Sequence, residues 1–315
     1  MKLSVITPVY NRADCIVRCL DSVTSQLGCG AEIEHVVVDD GSTDKTADII
    51  REYAGAHPHL KTVFFEKNRG TNAARNAAVR TASGDYCVML DSDDYFTQDA
   101  CRAISTAIHA YPDAGCFMFT IDYRADMFDK MYGRGSVVKY TYKEALDGKI
   151  VGDYTHVFRR DIFIRYPFDE DLRIYESLII RQIYREVKEM IFVNSTVVVV
   201  DTGRVDRVTW DTLRINENII SRKLQAAVKE YELFGDDLLT YGGPRKVEPL
   251  VFQIADNALL LCKYELAVKF IPKISDRRKK AVLRLIATAK LGKIYQKALE
   301  LYLKCKYRGL TANRN

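Results

Sequence analysis

The chain has 315 residues, 48% hydrophobic, 28% charged and 10% aromatic, which excludes low complexity and disorder and allows a sizeable core. The formal charge of +5 argues against a dedicated nucleic-acid binder, but it is unevenly placed: residues 263–315 hold 15 Lys and Arg against 3 Asp and Glu, and residues 1–262 hold 32 against 39. No run reaches the roughly 18 apolar residues of a membrane span and no basic-then-apolar leader opens the chain, so a cytoplasmic protein is expected, peripheral on the inner face of the membrane if its basic end binds there.

Strand-like and helix-like segments alternate over the first 120 residues. Short apolar runs rich in Val, Ile, Phe and Tyr at 3–7, 34–38, 62–65, 86–90 and 116–120 predict strands covered on both faces. Between them, 13–27, 43–54, 71–82 and 98–110 have helical length, with Ser42 or Thr43 as a cap for the second and Gly84 as the stop for the third. Such alternation predicts an α/β fold, a mostly parallel sheet with helices on both faces. Residues 121–210 are less regular, with strand-like pieces at 137–140, 157–159, 191–193 and 196–200 and one helix at 175–188. From about Asp211 the pattern is helical (211–234, 246–262, 264–271 and 277–307), punctuated by Gly242-Gly243-Pro244 and Gly292. A boundary near 211 therefore separates an α/β body from a helical, basic C-terminal extension. The eight cysteines are scattered without a Cys-x-x-Cys pair, as expected of free buried thiols.

Ligands on such sheets bind beyond the carboxyl ends of the strands, so the residues after each strand carry the functional information. They are Thr7-Pro8-Val9-Tyr10-Asn11, Asp39-Asp40-Gly41-Ser42, Asn68-Arg69-Gly70 with Ala74-Arg75-Asn76, and Asp91-Ser92-Asp93-Asp94. Asp-Ser-Asp-Asp offers hard oxygen ligands at short spacing, which suits Mg²⁺ or Mn²⁺ with phosphate oxygens completing the shell. Asp39-Asp40 can accept hydrogen bonds from a nucleobase or ribose. Five carboxylates at one edge repel each other, and a divalent cation together with a cationic side chain such as Arg75 is the natural compensation. Either motif alone is most often a cap or turn. On successive strands of one sheet, the two point to a nucleotide and metal site.

In these motifs the chain resembles a family 2 glycosyltransferase of the GT-A fold. The resemblance rests on Ser4-Val-Ile-Thr-Pro-Val-Tyr-Asn11, Val37-Val-Asp-Asp-Gly-Ser-Thr-Asp44, Asn68-x-Gly70 with Ala74-Arg-Asn76, and Gly84-Asp-Tyr86 with Leu90-Asp-Ser-Asp-Asp94. It is clearest over 1–110 and continues more weakly to about 185 through Phe158-Arg-Arg160 and Phe168-Asp-Glu-Asp-Leu172. It implies a glycosyltransferase domain over 1–210, with a nucleotide-sugar-binding half at 1–110 and an acceptor half at 111–210. It also implies that Pro8 and Tyr10 lie along the base and ribose while Asp40 reads the base edge. Arg75 would neutralise carboxylates or diphosphate, and Asp91 and Asp93 would form the Asp-x-Asp pair, with Asp94 an alternative metal ligand. The bound Mn²⁺ or Mg²⁺ would stabilise the departing nucleoside diphosphate.

The same family implies inversion, in which a carboxylate deprotonates the acceptor hydroxyl. That base usually belongs to a Glu-Asp pair opening a helix, and here the aligned stretch ends Tyr175-Glu176-Ser177, with serine at the expected aspartate. A serine hydroxyl is not a competent base without a partner. Glu176 is the candidate if the helix start is displaced, and Asp171 is a poorer one. The readings that stay open are a working transferase using a UDP-sugar, a nucleotide-sugar-binding scaffold, and a nucleotidyltransferase on a similar sheet.

His156 is a packing residue or a catalyst, Arg159 and Arg160 meet an acceptor phosphate or solvent, and Trp210 is a packing anchor or a sugar platform. Over 277–307, Val282, Leu285, Ile286 and Ala289, then Leu291, Ile294, Tyr295, Ala298, Leu301 and Tyr302, recur at helical spacing among lysines and arginines. This pattern suits either an anionic membrane surface or a packed helical subdomain with a solvated basic face. The expected partners are a nucleoside diphosphate-sugar and a glycan or lipid-linked acceptor, in single additions, with no nucleic acid.

Overall fold

The computed structural model forms two compact units, Met1–Arg204 and Val205–Asn315, and describes residues 1–203 and 216–306. The expected boundary near 211 and Trp210 lie outside the described residues.

The first unit is α/β, built on a nine-stranded sheet in which eight strands run in the order β3-β2-β1-β4-β8-β6-β9-β5 and β7 pairs with β9. The strands are β1 (Lys2–Val9), β2 (Glu32–Asp39), β3 (Leu60–Phe64), β4 (Tyr86–Met89), β5 (Tyr95–Phe96), β6 (Cys116–Ile121), β7 (Val137–Thr141), β8 (Thr155–Arg159) and β9 (Glu189–Val199). β1 and β2 are buried along nearly their whole lengths, as their β-branched runs predict. β3, β2, β1 and β4 are mutually parallel, so their carboxyl ends share one edge. β8 enters antiparallel to β4 and β6, while β6 and β9 are parallel. The two pieces expected at 191–193 and 196–200 belong to the single strand β9, whose register against β6 shifts around Thr120.

Helices α1 (Ile16–Thr24), α2 (Thr46–Ala56), α3 (Thr71–Thr81) and α4 (Ala100–Ala110) alternate with the strands. Ile16, Cys19, Leu20 and Val23 of α1 are buried at i, i+3, i+4 and i+7 spacing. α3 is buried along Asn72–Val79 because Ala73, Ala74, Ala77 and Ala78 let its backbone lie close to the sheet. Neither Ser42 nor Thr43 caps α2. Ser42 Oγ accepts from Asn11 N at 2.9 Å and Thr43 N donates to Asn11 Oδ1 at 2.8 Å, so both lace the end of β1 to the end of β2. Asp44 Oδ1 accepts from Thr46 N instead. Gly84 does not stop α3, which ends at Thr81. It is needed for close approach, since a Cβ there would stand 2.5 Å from Ser4 Oγ. Later come α5 (Ala125–Tyr132), α6 (Tyr142–Leu146), α7 (Arg160–Phe163) and α8 (Ser177–Val187).

Away from the carboxyl edge, Glu34 is only 3% exposed. It accepts from Ser4 Oγ, Ser83 N, Ser83 Oγ and Gly84 N and pairs with Lys61 Nζ at 2.7 Å and Lys2 Nζ at 3.3 Å. Burial pushes its pKa up, but Lys61, Ser4 and Ser83 outweigh that and hold it well below the ordinary value. A depressed carboxylate stabilises the fold above its unfolded pKa of about 4.3, and that stabilisation is lost as pH falls toward the folded value. Glu34→Gln is therefore expected to cost on the order of 2 kcal/mol at pH 7 and progressively less below about pH 4. Urea melts of both proteins at the two pH values check this.

The second unit is helical, with α9 (Glu217–Gly242), α10 (Pro244–Leu260), α11 (Tyr264–Phe270), α12 (Arg277–Thr288) and α13 (Gly292–Lys306). Asn216 and Asp276 cap α9 and α12 through their side chains. Gly243, at φ +70°, followed by Pro244 at the first turn of α10, breaks α9 from α10. Gly292 opens α13 where a Cβ would meet Leu259 O at 2.4 Å. No helix among the described residues is long and apolar enough to cross a membrane.

Candidate active site

The shared carboxyl edge of β1, β2 and β4 gathers most of the residues expected at a site. Pro8 is buried within β1, and Tyr10, just past its end, is 40% exposed. Asp40 is buried, and its two oxygens accept from Arg69 N at 2.7 Å and Gly70 N at 2.9 Å, so it ties the end of β2 to the turn before α3. Burial raises its pKa against the opposing pull of those bonds. Its neighbour Asp39 accepts from Ser42 N through Oδ2, while the buried Oδ1 has no partner.

Arg75, buried on α3, is the hub. One end donates to Asp91 Oδ1 at 3.0 Å and the other to Glu176 Oε1 at 2.6 Å, joining residues 101 positions apart. Burial works against its charge, but Asp91 and Glu176 more than offset this and raise its pKa. α3 holds the segment carrying Glu176 in further ways. Asn76 exchanges hydrogen bonds with Phe168 N and O, and Asn72 Nδ2 donates to Asp169 O at 2.7 Å. Ile174, two residues before Glu176, has φ +72°, a costly conformation for a β-branched residue. Glu176 is the N-cap of α8 and meets Arg75, while Ser177 is exposed.

The turn after β4 is held from several sides. Asp93 Oδ2 stands 3.9 Å from Arg12 Nε, and Asp94 Oδ1 accepts from Asp201 N at 3.0 Å. Arg18 on α1 donates to Asp93 O at 2.7 Å and Asp201 Oδ2 at 2.9 Å, its guanidinium 4.8 Å from the Tyr95 ring centroid. Among the described residues no three His, Cys, Asp or Glu converge on one metal position. The donor set nevertheless suits a hard cation that takes part of its shell from phosphate oxygens, since the Asp91 side chain is 51% exposed and Asp93 lies two residues on. Arg12, Arg18, Asn72 and Asp201 carry no local sequence signal, because their partners are distant in the chain.

A cavity of about 230 Å³ adjoins Asp91, with Arg75, Asp94, Tyr123, Asp153 and His156 in its wall. His156 bonds Tyr184 Oη at 2.7 Å and stacks on Phe158, and burial lowers its pKa to about 4, so it is a neutral packing group at pH 7. The phosphate role considered for Arg159 and Arg160 is corrected by strand direction. β8 runs antiparallel to β4, so Arg159 pairs with Tyr86 at the opposite end from Asp91, and it binds Asp161. Arg160 N donates to Asp85 O at that same far end.

The family model "Glycosyl transferase family 2" matches residues 4–166. Glycosyltransferase GlyA of Streptococcus pneumoniae is 27% identical over 210 residues, 62% of this chain and 30% of that protein. The poly(ribitol-phosphate) beta-glucosyltransferase of Bacillus spizizenii is 39% identical over 101 residues, 32% of this chain and 16% of that protein. The chain thus spans less than a third of the length of these two relatives. Among solved structures, S. aureus TarS 1–349 in complex with UDP-GlcNAc superposes with a TM-score of 0.66 at 19% identity, covering 96% of this chain and 92% of that one. The mannosyltransferase PcManGT from Pyrobaculum calidifontis, in complex with GDP-Man and Mn²⁺, gives 0.56 at 22% identity over 92% and 86%. At such identities the structures share the GT-A fold. The family match covers more than half of the chain, including the strands that assemble Arg75 and Asp91, and this protein belongs to glycosyltransferase family 2.

Proposed function

We propose that the chain transfers a sugar from a UDP-sugar to a glycan or lipid-linked acceptor, with inversion at the anomeric carbon. The observation that carries this reading is the Asp91–Arg75–Glu176 bridge, which puts a carboxylate of the required kind beside the Asp-Ser-Asp-Asp turn. The complexes of the structural neighbour TarS with UDP-GlcNAc and with UDP support a uridine nucleotide as carrier.

Tyr10 offers an aromatic face to the base, with Pro8 behind it in β1. Asp40 has lone pairs left for the base edge after its two backbone bonds. The cavity wall of Tyr123, Asp153 and Thr155 supplies aromatic and polar contacts for a sugar. Glu176 removes the proton of the acceptor hydroxyl as that oxygen attacks the anomeric carbon, and the bond to the diphosphate breaks on the opposite face. Arg75 holds Glu176 in place through its 2.6 Å bond and sets a positive charge between it and Asp91. A Mg²⁺ or Mn²⁺ held by Asp93 with Asp91 or the second oxygen of Asp94 would supply Lewis-acid stabilisation of the leaving diphosphate.

The test is UDP release from a panel of UDP-sugars with Mn²⁺, with Mg²⁺ and with EDTA. Release with one donor, reduced at least a hundredfold by EDTA, is expected. Donor binding without release under any condition would replace the transferase by a binding protein.

A further inference from the structure

The second unit presents two apolar surfaces on one helix. Leu283, Ile286 and Ala287 of α12 are buried. Val282 and Leu285 are not: they are 56% and 63% exposed, and with Arg278 and Ala289 they form a stripe at i, i+4, i+7 and i+11. The single apolar face expected from spacing is therefore divided, with Ile286 inside and Val282 and Leu285 outside. α13 repeats the arrangement. Ile294 and Leu301 are each 64% exposed, with Lys297 between them on the same side.

The charge around these side chains is almost all of one sign, with Glu300, next to Leu301 in the sequence, as the exception. Residues 277–299 contain eight Lys and Arg and no Asp or Glu. Arg277, Lys280 and Arg284 border the α12 stripe, and Lys293 and Lys297 lie on the exposed side of α13. A second copy meeting this face symmetrically would set cation against cation, which disfavours self-association. Phosphates of a nucleic acid would satisfy the cations but leave Val282, Leu285, Ile294 and Leu301 without a partner, and the one aromatic ring in 277–299, Tyr295, is turned to Asp256. An anionic bilayer satisfies both features, because apolar tips enter the acyl boundary while basic side chains reach phosphate headgroups.

We infer that the α12–α13 surface docks on an anionic lipid bilayer, with Val282, Leu285, Ile294 and Leu301 as the inserted residues. The surface lies wholly in the second unit, so this inference does not depend on the transferase reading. The full chain should float with vesicles of equimolar phosphatidylcholine and phosphatidylglycerol and not with phosphatidylcholine alone, with binding weakened by salt. Val282→Ser with Leu285→Ser should weaken binding about tenfold, and Arg278→Glu with Arg284→Glu tenfold or more. Because all four side chains belong to the exposed face, an unchanged circular dichroism melt is expected of both variants. Failure to bind either vesicle, equal binding to both, or full binding by the serine variant overturns the inference. So does a wild-type dimer that Leu285→Ser dissociates, which would assign the face to a second copy. Binding to duplex DNA that survives the serine substitutions while vesicle binding is absent would assign it to nucleic acid.

Discussion

Replacing Glu176 by glutamine is expected to lower sugar transfer at least a hundredfold while UDP affinity changes by less than about threefold. The amide keeps the size of the side chain and can still accept from Arg75 through its carbonyl oxygen, but it cannot take a proton. Single-turnover product formation and a UDP thermal-shift titration separate the two effects. Wild-type turnover in this variant would remove Glu176 from the mechanism. Restoring the family's usual residue by Ser177→Asp is expected to give little gain, because Ser177 is exposed at the first turn of α8 while Glu176 meets Arg75. Activity of Ser177→Asp in a Glu176→Gln background would show that the helix entry can rotate.

Arg75→Met is expected to abolish measurable transfer and to destabilise the first unit by about 2 kcal/mol. The cost is set below that of a fully buried pair because the Asp91 side chain is half exposed and water screens it. Without the guanidinium, Asp91 and Glu176 lose their shared counter-charge and repel across the site. Arg75→Lys should recover stability better than rate, since one ammonium cannot reproduce a fork that reaches Asp91 and Glu176 together. Single-turnover rates of the lysine and methionine variants beside their urea melts distinguish this outcome from simple unfolding.

How far these residues were legible depended on whether their partners were local. Asp39-Asp40 and Asp91-Ser92-Asp93-Asp94 each follow a strand with an obvious apolar pattern, so their convergence follows from a parallel arrangement of those strands. Asn72 and Asn76 sit on an alanine-rich helix whose spacing shows how close its backbone can come to the sheet but not what its amides bind. Their partners at 168–172 are almost a hundred residues away. The two readings of Arg159 and Arg160 stayed open for a related reason: whether β8 runs with or against β4 cannot be seen in its five residues, and its direction decides which edge they occupy.

The uneven charge has the same two levels. Composition alone separated a carboxylate-rich body from a basic end, and strand motifs alone located the acidic edge and identified the family they resemble. Periodicity also predicted helices at the basic end, because the 3.6-residue repeat is a local property. Only tertiary packing decided which side of α12 was buried, since Ile286 and Leu285 are adjacent and equally apolar. It likewise decided that Glu176, one residue from the expected place, reaches the Asp91 edge through Arg75, because that contact joins α8 to a helix a hundred residues earlier in the chain.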